Sequence, residues 1–247
     1  PSMIASMMFK TDPLPREVRG TYAQIALDFV QNAISGMLSE RLSEIARQAD
    51  APFSGASVSF GPFLVANTKD ALSLDVMMKE NRSAEGIKAA YRELLRASRG
   101  GFTVSEYARF KQEYLSQIDA AYEARDKRTN TSLVDACVRN FLDNVPAPGI
   151  EWLHSAMHQF VPNFPLEVIN KTLAALPQDN RAILIFMPEK EGLACPTEQE
   201  VLSAMAEVDA EKIEAFTEEV STEPLVPELK SKVKVKKITD DVYGAKL

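Results

Sequence analysis

The sequence predicts an α+β fold, in which an antiparallel-rich sheet of about five or six strands packs against several helices. Apolar residues recur every three or four positions over residues 21–45, which is typical of a long helix with one buried face. Residues 51–80 alternate and carry turn residues, which predicts two or three antiparallel strands. Further strands are expected at residues 3–10 and 181–187.

Local signals place the ends of the predicted helices. The pairs Thr103/Glu106 and Thr197/Glu200 have the spacing of a capping box, in which each side chain satisfies a free backbone N–H group of the helix start. A helix over residues 83–98 is expected to end at the glycine pair that follows it. The other helices are predicted over residues 103–125, 130–141, 150–160, 165–176 and 197–208.

The chain is predicted to form one domain over residues 1–208, followed by a linker over residues 209–247. The linker begins acidic and rich in proline, and residues 230–237 are basic and alternating, which is atypical of a core element. Position 1 is not Met, and the last residues, VYGAKL, are similar to the start of a strand. We therefore interpret the chain as a fragment, with a following domain that it does not contain.

Composition and charge narrow the class of protein. The 247 residues are 45% hydrophobic and 26% charged, which is ordinary for a globular domain. The apolar runs are strand-sized, so we expect no membrane span. A net charge of −7 and a pI of about 5.1 argue against a nucleic-acid partner. Cys137 and Cys195 form no disulfide framework, and Cys137 is expected in the core.

The two histidines of the chain, His154 and His158, stand four residues apart on a predicted helix. This spacing allows two imidazoles to bind one metal ion. The zinc motifs H-E-x-x-H and H-x-x-E-H also need a glutamate as general base, but Ser155 and Met157 occupy those positions. A third ligand would have to come from elsewhere. The sequence therefore favours two helix histidines without a metal, and we predict no catalytic residue and no metal ligand in this chain.

No other motif brings together a nucleophile, a base and an electrophile. The ten glycines are scattered, so they form no phosphate-binding loop, and no G-x-S-x-G motif occurs. The Ser- and Gly-rich residues 53–57 are far from either histidine in sequence. The charge run at residues 123–130 is interpreted as a solvated helix end, with a docking surface for another domain as the alternative.

Arg41 and Arg47 lie on the long first helix, before the predicted strand pair. Glu44 stands three residues from each of them, so it can pair with either guanidinium group but not fully with both. The spare arginine, taken as Arg47 near the helix end, is a candidate to face a peptide carboxylate or backbone. Taken alone, however, the residues favour a surface ion pair, since such pairs are weak and common.

The stretch that contains these arginines carries a resemblance to a known family. Residues 37–61 are similar to the L-x-x-x-L-R-x-x-x-G-[LY]-x-Y pattern found in the non-catalytic domain of pitrilysin-like (insulinase-like) zinc metallopeptidases. Leu42 and Arg47 match this pattern. Ala46 replaces its second leucine, and Ala51 replaces its glycine.

Three later segments resemble the same domain in the same order. Residues 101–128 are similar to the pattern F-T-x-x-E-x-x-x-x-K-x-x-[YL]-L, which is followed by a charged break. The segments FLDNVPAPGIEW and RAILIFMPEKEG resemble later parts of the domain in large bacterial members. The resemblance covers about residues 3–208, which is most of the chain.

The resemblance implies both an architecture and a role. Such proteases consist of repeated α+β domains that close like a clamshell around a peptide, and zinc is bound by H-x-x-E-H in the first domain. The chain would then be an accessory domain without zinc of its own. It would form part of the peptide-binding chamber and contact the catalytic and following domains of the same polypeptide. The resemblance to large bacterial members also implies an extracytoplasmic, periplasmic location.

Arg47 and Phe53 are the substrate-binding residues that the resemblance implies. In related domains, an arginine and a tyrosine near the junction of helix and hairpin face the substrate chamber. Arg47 stands at the arginine position and Ser54 at the tyrosine position, so Phe53 is the nearest aromatic residue. Because the phenol hydroxyl is missing, a wall of the chamber is implied and not a direct catalytic role.

Two other functions remain open at this point. The same fold could act as a non-proteolytic binding or scaffold domain, as in core subunits and inactive partners of processing peptidases. A freestanding enzyme would instead require His154 and His158 to bind metal in this chain alone. An H-x-x-E-H motif upstream in the parent reading frame would distinguish the accessory domain from the scaffold.

Overall fold

The computed structural model describes residues 3–143, 145–176 and 179–218, which contain four β-strands and seven α-helices. The strands are β1 (Met3–Thr11), β2 (Phe53–Phe63), β3 (Ala66–Met78) and β4 (Arg181–Phe186). The helices are α1 (Tyr22–Ala46), α2 (Ser83–Gly100), α3 (Val104–Glu123), α4 (Asn130–Asp143), α5 (Ile150–Phe160), α6 (Leu166–Ala174) and α7 (Glu198–Ala210). Short 3-10 helices occur at Arg16–Val18, Arg125–Lys127 and Val161–Asn163.

The four strands form one antiparallel sheet with the order β2-β3-β1-β4. Met3 of β1 lies opposite Met78 of β3, and Ile4 lies opposite Phe186 of β4. Side chains alternate between the two faces of a strand, so one face of the sheet can be apolar and buried. The buried hydrophobic residues of β1 are spaced in this way: Met3, Ala5, Met7 and Phe9.

The predicted α+β class is confirmed, but the predicted five or six strands are not found in the described part of the chain. Residues 51–80 form two long strands of 11 and 13 residues, which is the lower of the two numbers predicted for this segment. They meet at a turn in which Leu64 has a φ of 55°. The basic stretch at residues 230–237 and the final VYGAKL, which also have strand-like features, lie outside the described residues.

Helices α1 and α2 cover the buried face of the sheet, where α1 packs mainly on β2 and α2 mainly on β3. Phe29 of α1 then connects this layer to the helices behind it. Its ring makes edge-on contacts with Tyr114 of α3 at 5.2 Å and with Phe160 of α5 at 5.5 Å, measured between ring centroids. Such aromatic contacts add stabilisation to the burial of the rings, so they fix α3 and α5 against α1.

The predicted helix positions agree with the structure to within a few residues. Both capping boxes form: the backbone N–H of Glu106 donates to the Thr103 hydroxyl, and the backbone N–H of Thr103 donates to the Glu106 carboxylate. Thr197 and Glu200 make the same exchange at the start of α7. Helix α2 ends at Gly100, and Gly101, the capping residue that follows, has a φ of 76°, which favours glycine.

One compact unit of the chain ends at Phe216. Residues 209–216, which belong to the predicted linker, therefore contact the domain. Tyr91 donates a hydrogen bond to Asp209 at 2.6 Å, and Arg92 pairs with Glu211 at 2.8 Å. The linker boundary stays a prediction, since residues 219–247 lie outside the described ranges. Within those ranges, no helix combines the length and apolar character needed to cross a bilayer.

Candidate functional site

The two histidines and Asp119 form a surface cluster between α5 and α3. The Nε2 atom of His154 lies 2.9 Å from Oδ1 of Asp119, and Nε2 of His158 lies 2.7 Å from the same oxygen. One ligand atom from each of the three residues falls within 4.8 Å of the others. The sequence supplied the histidine pair but not the carboxylate, because Asp119 precedes His154 by 35 residues.

Neighbouring aromatic and charged groups orient this cluster. The Tyr122 ring stacks on His154 with 4.4 Å between centroids, and the Arg125 guanidinium lies 4.4 Å from the Tyr122 centroid. Hydrogen bonds from His158 and then from His154 lower the pKa of Asp119. Asp119 is therefore an ionised carboxylate at neutral pH. The three side chains of the cluster are 30% to 47% exposed, so solvent and small ions can reach them.

Arg47 and Phe53, the two residues implied to bind substrate, differ in accessibility. Arg47 follows the last residue of α1 and its side chain is 65% exposed; it contacts Ser43 and pairs with Glu40 at 3.5 Å. Phe53 at the start of β2 is fully buried in the hydrophobic core. A peptide can therefore reach the Arg47 side chain, whereas the Phe53 ring faces the interior. The role of both residues in substrate binding stays a prediction.

Within the described residues, Arg41 and Arg47 form their ion pairs with other acids and not with Glu44, so the prediction that Glu44 pairs with one of them is wrong. Arg47 uses Glu40, and the buried guanidinium of Arg41 pairs with Glu106 and Glu93, which come from other helices. The signal that could have revealed this was the position of Arg41, one turn after Met37 on the apolar face of α1. An arginine on a buried face requires a buried acidic partner.

Helix α4 carries a surface that we call the α4 apolar band, defined as Leu133, Val134, Val138, Phe141 and Leu142. All five side chains are exposed, from 42% for Leu133 to 87% for Phe141. Cys137 on the same helix is also exposed, so its predicted place in the core is wrong. The reason is that α4 turns its apolar residues towards solvent instead of towards the sheet. Concentrated exposed apolar area of this kind marks interaction surfaces.

The fold is similar to solved peptidase structures. The first half of the periplasmic protease PqqL from Escherichia coli matches with a TM-score of 0.75 and 15% identity, over 88% of this chain and 46% of that one. A predicted insulinase family protease from Yersinia pestis matches with a TM-score of 0.67 and 13% identity, over 84% and 44%. A peptidase M16 inactive domain from Pseudomonas fluorescens matches with a TM-score of 0.51 and 15% identity, over 75% and 41%. The chain has the pitrilysin/insulinase-like peptidase fold.

The resemblance to an inactive domain of pitrilysin/insulinase-like peptidases is thus confirmed at the level of the fold. No protein-family model matches the sequence, and no curated protein matches it. The chain spans less than half of the PqqL half-structure and 25% of the whole PqqL chain. The shared architecture therefore corresponds to one part of a larger pitrilysin/insulinase-like molecule.

The histidine cluster does not fit the catalytic zinc site of pitrilysin/insulinase-like peptidases. That site needs the H-x-x-E-H motif, and Met157 stands where the motif requires its glutamate. Ser155 likewise excludes the H-E-x-x-H order. Asp119 supplies a third polar ligand, but it lies between the two imidazoles and contacts both of them. No hydrolytic step follows from this geometry.

Proposed function

We propose that this chain is an accessory, non-catalytic domain of a zinc metalloendopeptidase of the pitrilysin/insulinase type. The observation that carries the proposal is the pitrilysin/insulinase-like fold in a chain whose 247 residues contain no H-x-x-E-H motif. Structures with TM-scores of 0.51 and 0.50 to this chain are described as inactive peptidase domains, from Pseudomonas fluorescens and Bordetella parapertussis. Zinc would be bound in the catalytic domain of the parent polypeptide.

The peptide-binding part of the proposal concerns Arg47. Its guanidinium group is exposed at the end of α1 and, within the described residues, is held by the exposed Glu40 and by the hydroxyl of Ser43. An exposed ion pair is weak, so a peptide carboxylate or carbonyl can replace Glu40 at small cost. Phe53, behind the surface at the start of β2, would support the chamber wall from the core.

The docking part of the proposal concerns the α4 apolar band. Its residues recur at positions 134, 138, 141 and 142, so they share one side of the helix. A helix that exposes a row of apolar side chains gains stability when another surface covers it. The partner proposed for this surface is the catalytic domain of the same polypeptide, since the matched structures extend well beyond the part that this chain covers.

The proposed location is the periplasm of a bacterium. PqqL from Escherichia coli, whose first half shares the fold, is described as a periplasmic protease. The exposed Cys137 and Cys195 take part in no disulfide within the described residues, so they neither support nor oppose this location.

The test is reconstitution with the domain encoded upstream in the same reading frame. We expect that domain to contain H-x-x-E-H, and we expect neither part alone to cleave a quenched fluorescent peptide library efficiently. Mixing the two parts should restore cleavage. Cleavage by this chain alone would contradict the proposal. A reading frame without H-x-x-E-H, together with binding but no cleavage, would support the alternative of a scaffold domain.

A matched pair of variants tests the docking surface in the same assay. Val134→Asp places a charge in the α4 apolar band, whereas Val104→Asp places it at the start of α3, where the valine is 77% exposed. Because burying an unpaired charge is costly, we expect Val134→Asp to weaken association of the two parts at least about tenfold. Val104→Asp should leave association unchanged. Equal effects of both variants would remove α4 from the interface.

A further inference from the structure

Asp119, His154 and His158 bring three possible metal-ligand atoms to within 4.8 Å of one another. Zinc binds nitrogen and oxygen ligands at about 2.0–2.1 Å, which puts neighbouring ligand atoms at about 3.0–3.4 Å from each other. The two imidazole nitrogens lie 2.9 Å and 2.7 Å from one carboxylate oxygen. Both rings thus point at the same carboxylate oxygen, and these ligand atoms have to move apart by a few tenths of an ångström before an ion can lie between them.

The chemistry of the donor set selects a class of ion. Imidazole nitrogens suit zinc and neighbouring transition metals, whereas calcium and magnesium take oxygen ligands almost exclusively. Two histidines and one carboxylate are three protein ligands, so a tetrahedral ion would keep one position for water. The carboxylate of Asp119 contributes a negative charge that balances part of the charge of the ion.

The ligands are held in place before any ion arrives. They lie on two helices that also pack against each other elsewhere, where the Tyr114 hydroxyl lies 4.0 Å from the Met157 sulphur and both helices contact Phe29. Stacking on Tyr122 restricts the His154 ring. A site on rigid elements loses little entropy when it binds, which favours affinity.

We propose that Asp119, His154 and His158 bind one divalent transition-metal ion of the zinc class, in a site that ties α3 to α5. This site is separate from the H-x-x-E-H zinc of the proposed catalytic domain, and it does not depend on the accessory role of the chain. Its effect on the molecule is structural. Without the ion, hydrogen bonds to a single carboxylate oxygen connect the two helices in this cluster. With the ion bound, all three side chains are attached to the same metal centre.

The first test is a calorimetric titration of zinc into the chain, purified without a histidine tag and stripped with a chelator. We expect one zinc ion per chain. Mutating a group that merely hydrogen-bonds to a metal ligand weakens metal affinity about 10- to 100-fold. Asp119→Asn and His158→Ala each change a ligand itself, so each should weaken zinc affinity by at least that factor. Asp135→Asn on α4 removes an equal charge from an exposed position and should bind zinc like the unchanged chain.

A second measurement reports the link between the helices. At a zinc concentration about 100 times the dissociation constant, the melting temperature should rise by about 5–10 °C. The rise should shrink to about half or less in Asp119→Asn and persist in full in Asp135→Asn. Titrations that show no saturable binding, or equal binding by Asp119→Asn and the unchanged chain, would overturn the proposal. Circular dichroism of each variant verifies that it is folded.

Discussion

Arg41 on α1 and Glu106 in the first turn of α3 form a buried, two-pronged ion pair. Nε of Arg41 donates to Oε1 of Glu106 at 2.6 Å, and a terminal guanidinium nitrogen donates to Oε2 at 2.9 Å. Glu93 of α2 accepts a third hydrogen bond at 3.3 Å. The ring centroids of Phe102 and Phe216 lie 5.0 Å and 4.1 Å from the guanidinium carbon of Arg41. A single arginine therefore joins three helices.

Replacing Arg41 by methionine should strongly destabilise the domain. The side chains of Arg41 and Glu106 are only 3% and 5% exposed, so the variant leaves a buried carboxylate without its cation. Removing one partner of a buried ion pair typically costs about 3–5 kcal/mol. We expect a loss of this size in the free energy of unfolding, measured by urea denaturation followed by circular dichroism.

Arg47→Met is the control for this prediction, because it makes the same substitution six residues later on an exposed side chain. Its ion pair with Glu40 has side chains that are 65% and 58% exposed. Exposed pairs contribute about 0–1 kcal/mol. If the two variants lost equal stability, the buried pair would have no special role in the fold.

The same ion pair should make stability depend on pH. Burial raises the pKa of Glu106, but hydrogen bonds from Arg41 and from the backbone of Thr103 outweigh it and lower the pKa below its ordinary value of 4.5. A carboxyl group with a lowered folded-state pKa stabilises the protein fully above its unfolded pKa, and this contribution is lost as the pH falls through the folded value. The unfolding free energy should therefore decrease as the pH drops below about 4.5.

Glu106→Gln isolates this contribution, since it keeps the shape of the side chain and removes its titration. At pH 7 the variant should be less stable than the unchanged chain. The difference between them should shrink as the pH falls below 4.5, the ordinary pKa of Glu106. A difference that stays constant from pH 7 to pH 3 would show that Glu106 does not titrate with folding.

The sequence predicted those parts of the fold that neighbouring residues determine. The capping boxes at Thr103 and Thr197 and the glycine end of α2 depend on contacts within a few residues, and all three form as expected. The predicted total of five or six strands exceeds the four in the described residues, because the sequence left open whether residues 51–80 form two strands or three. Pairing with β1 selects two, and that pairing joins segments far apart in the chain.

The candidate sites depend on contacts of the same long range. The spacing of His154 and His158 was visible, but Asp119 reaches them only because α3 packs beside α5. Glu106 lies 65 residues from Arg41, so the adjacent Glu44 appeared to be the natural partner. The burial of Phe53 likewise follows from α1 packing on β2, which local patterns do not report.

The capping boxes lead to a prediction about helix stability. Thr197→Ala removes the hydroxyl that accepts the Glu200 N–H at 3.3 Å, and loss of such a cap typically costs about 1 kcal/mol. Thr103→Ala should lower the free energy of unfolding by more than Thr197→Ala does. The reason is that Glu106 takes part both in this cap and in the ion pair with Arg41. Urea denaturation of both variants measures the two costs.

Thr172→Ala is the matched control for the caps. Its hydroxyl donates back to the carbonyl of Val168 within α6, a contact that contributes little to helix stability. We expect a change within about 0.5 kcal/mol. A Thr172→Ala cost equal to that of Thr197→Ala would mean that removal of any threonine hydroxyl, and not loss of the cap, explains the result.

Gly101 should tolerate no side chain, for two separable reasons. Its φ of 76° and ψ of −179° fall in a region that is almost exclusive to glycine, which costs other residues about 1–3 kcal/mol. A Cβ atom there would also lie 2.7 Å from Nδ2 of Asn170. Asn170 uses its amide to accept the Phe102 N–H at 2.9 Å, so moving it away sacrifices a hydrogen bond of about 1 kcal/mol.

Gly192→Ala separates the two reasons. Gly192 has a similar φ of 80°, but a Cβ atom there meets no other atom within 4 Å. Gly192→Ala should therefore lose only about 1–2 kcal/mol of stability, through backbone strain. Gly101→Ala should lose about 1 kcal/mol more than that. Denaturant unfolding of both variants gives the comparison. Equal costs would show that Asn170 adapts freely, and that its contact with Phe102 does not hold α6 to the end of α2.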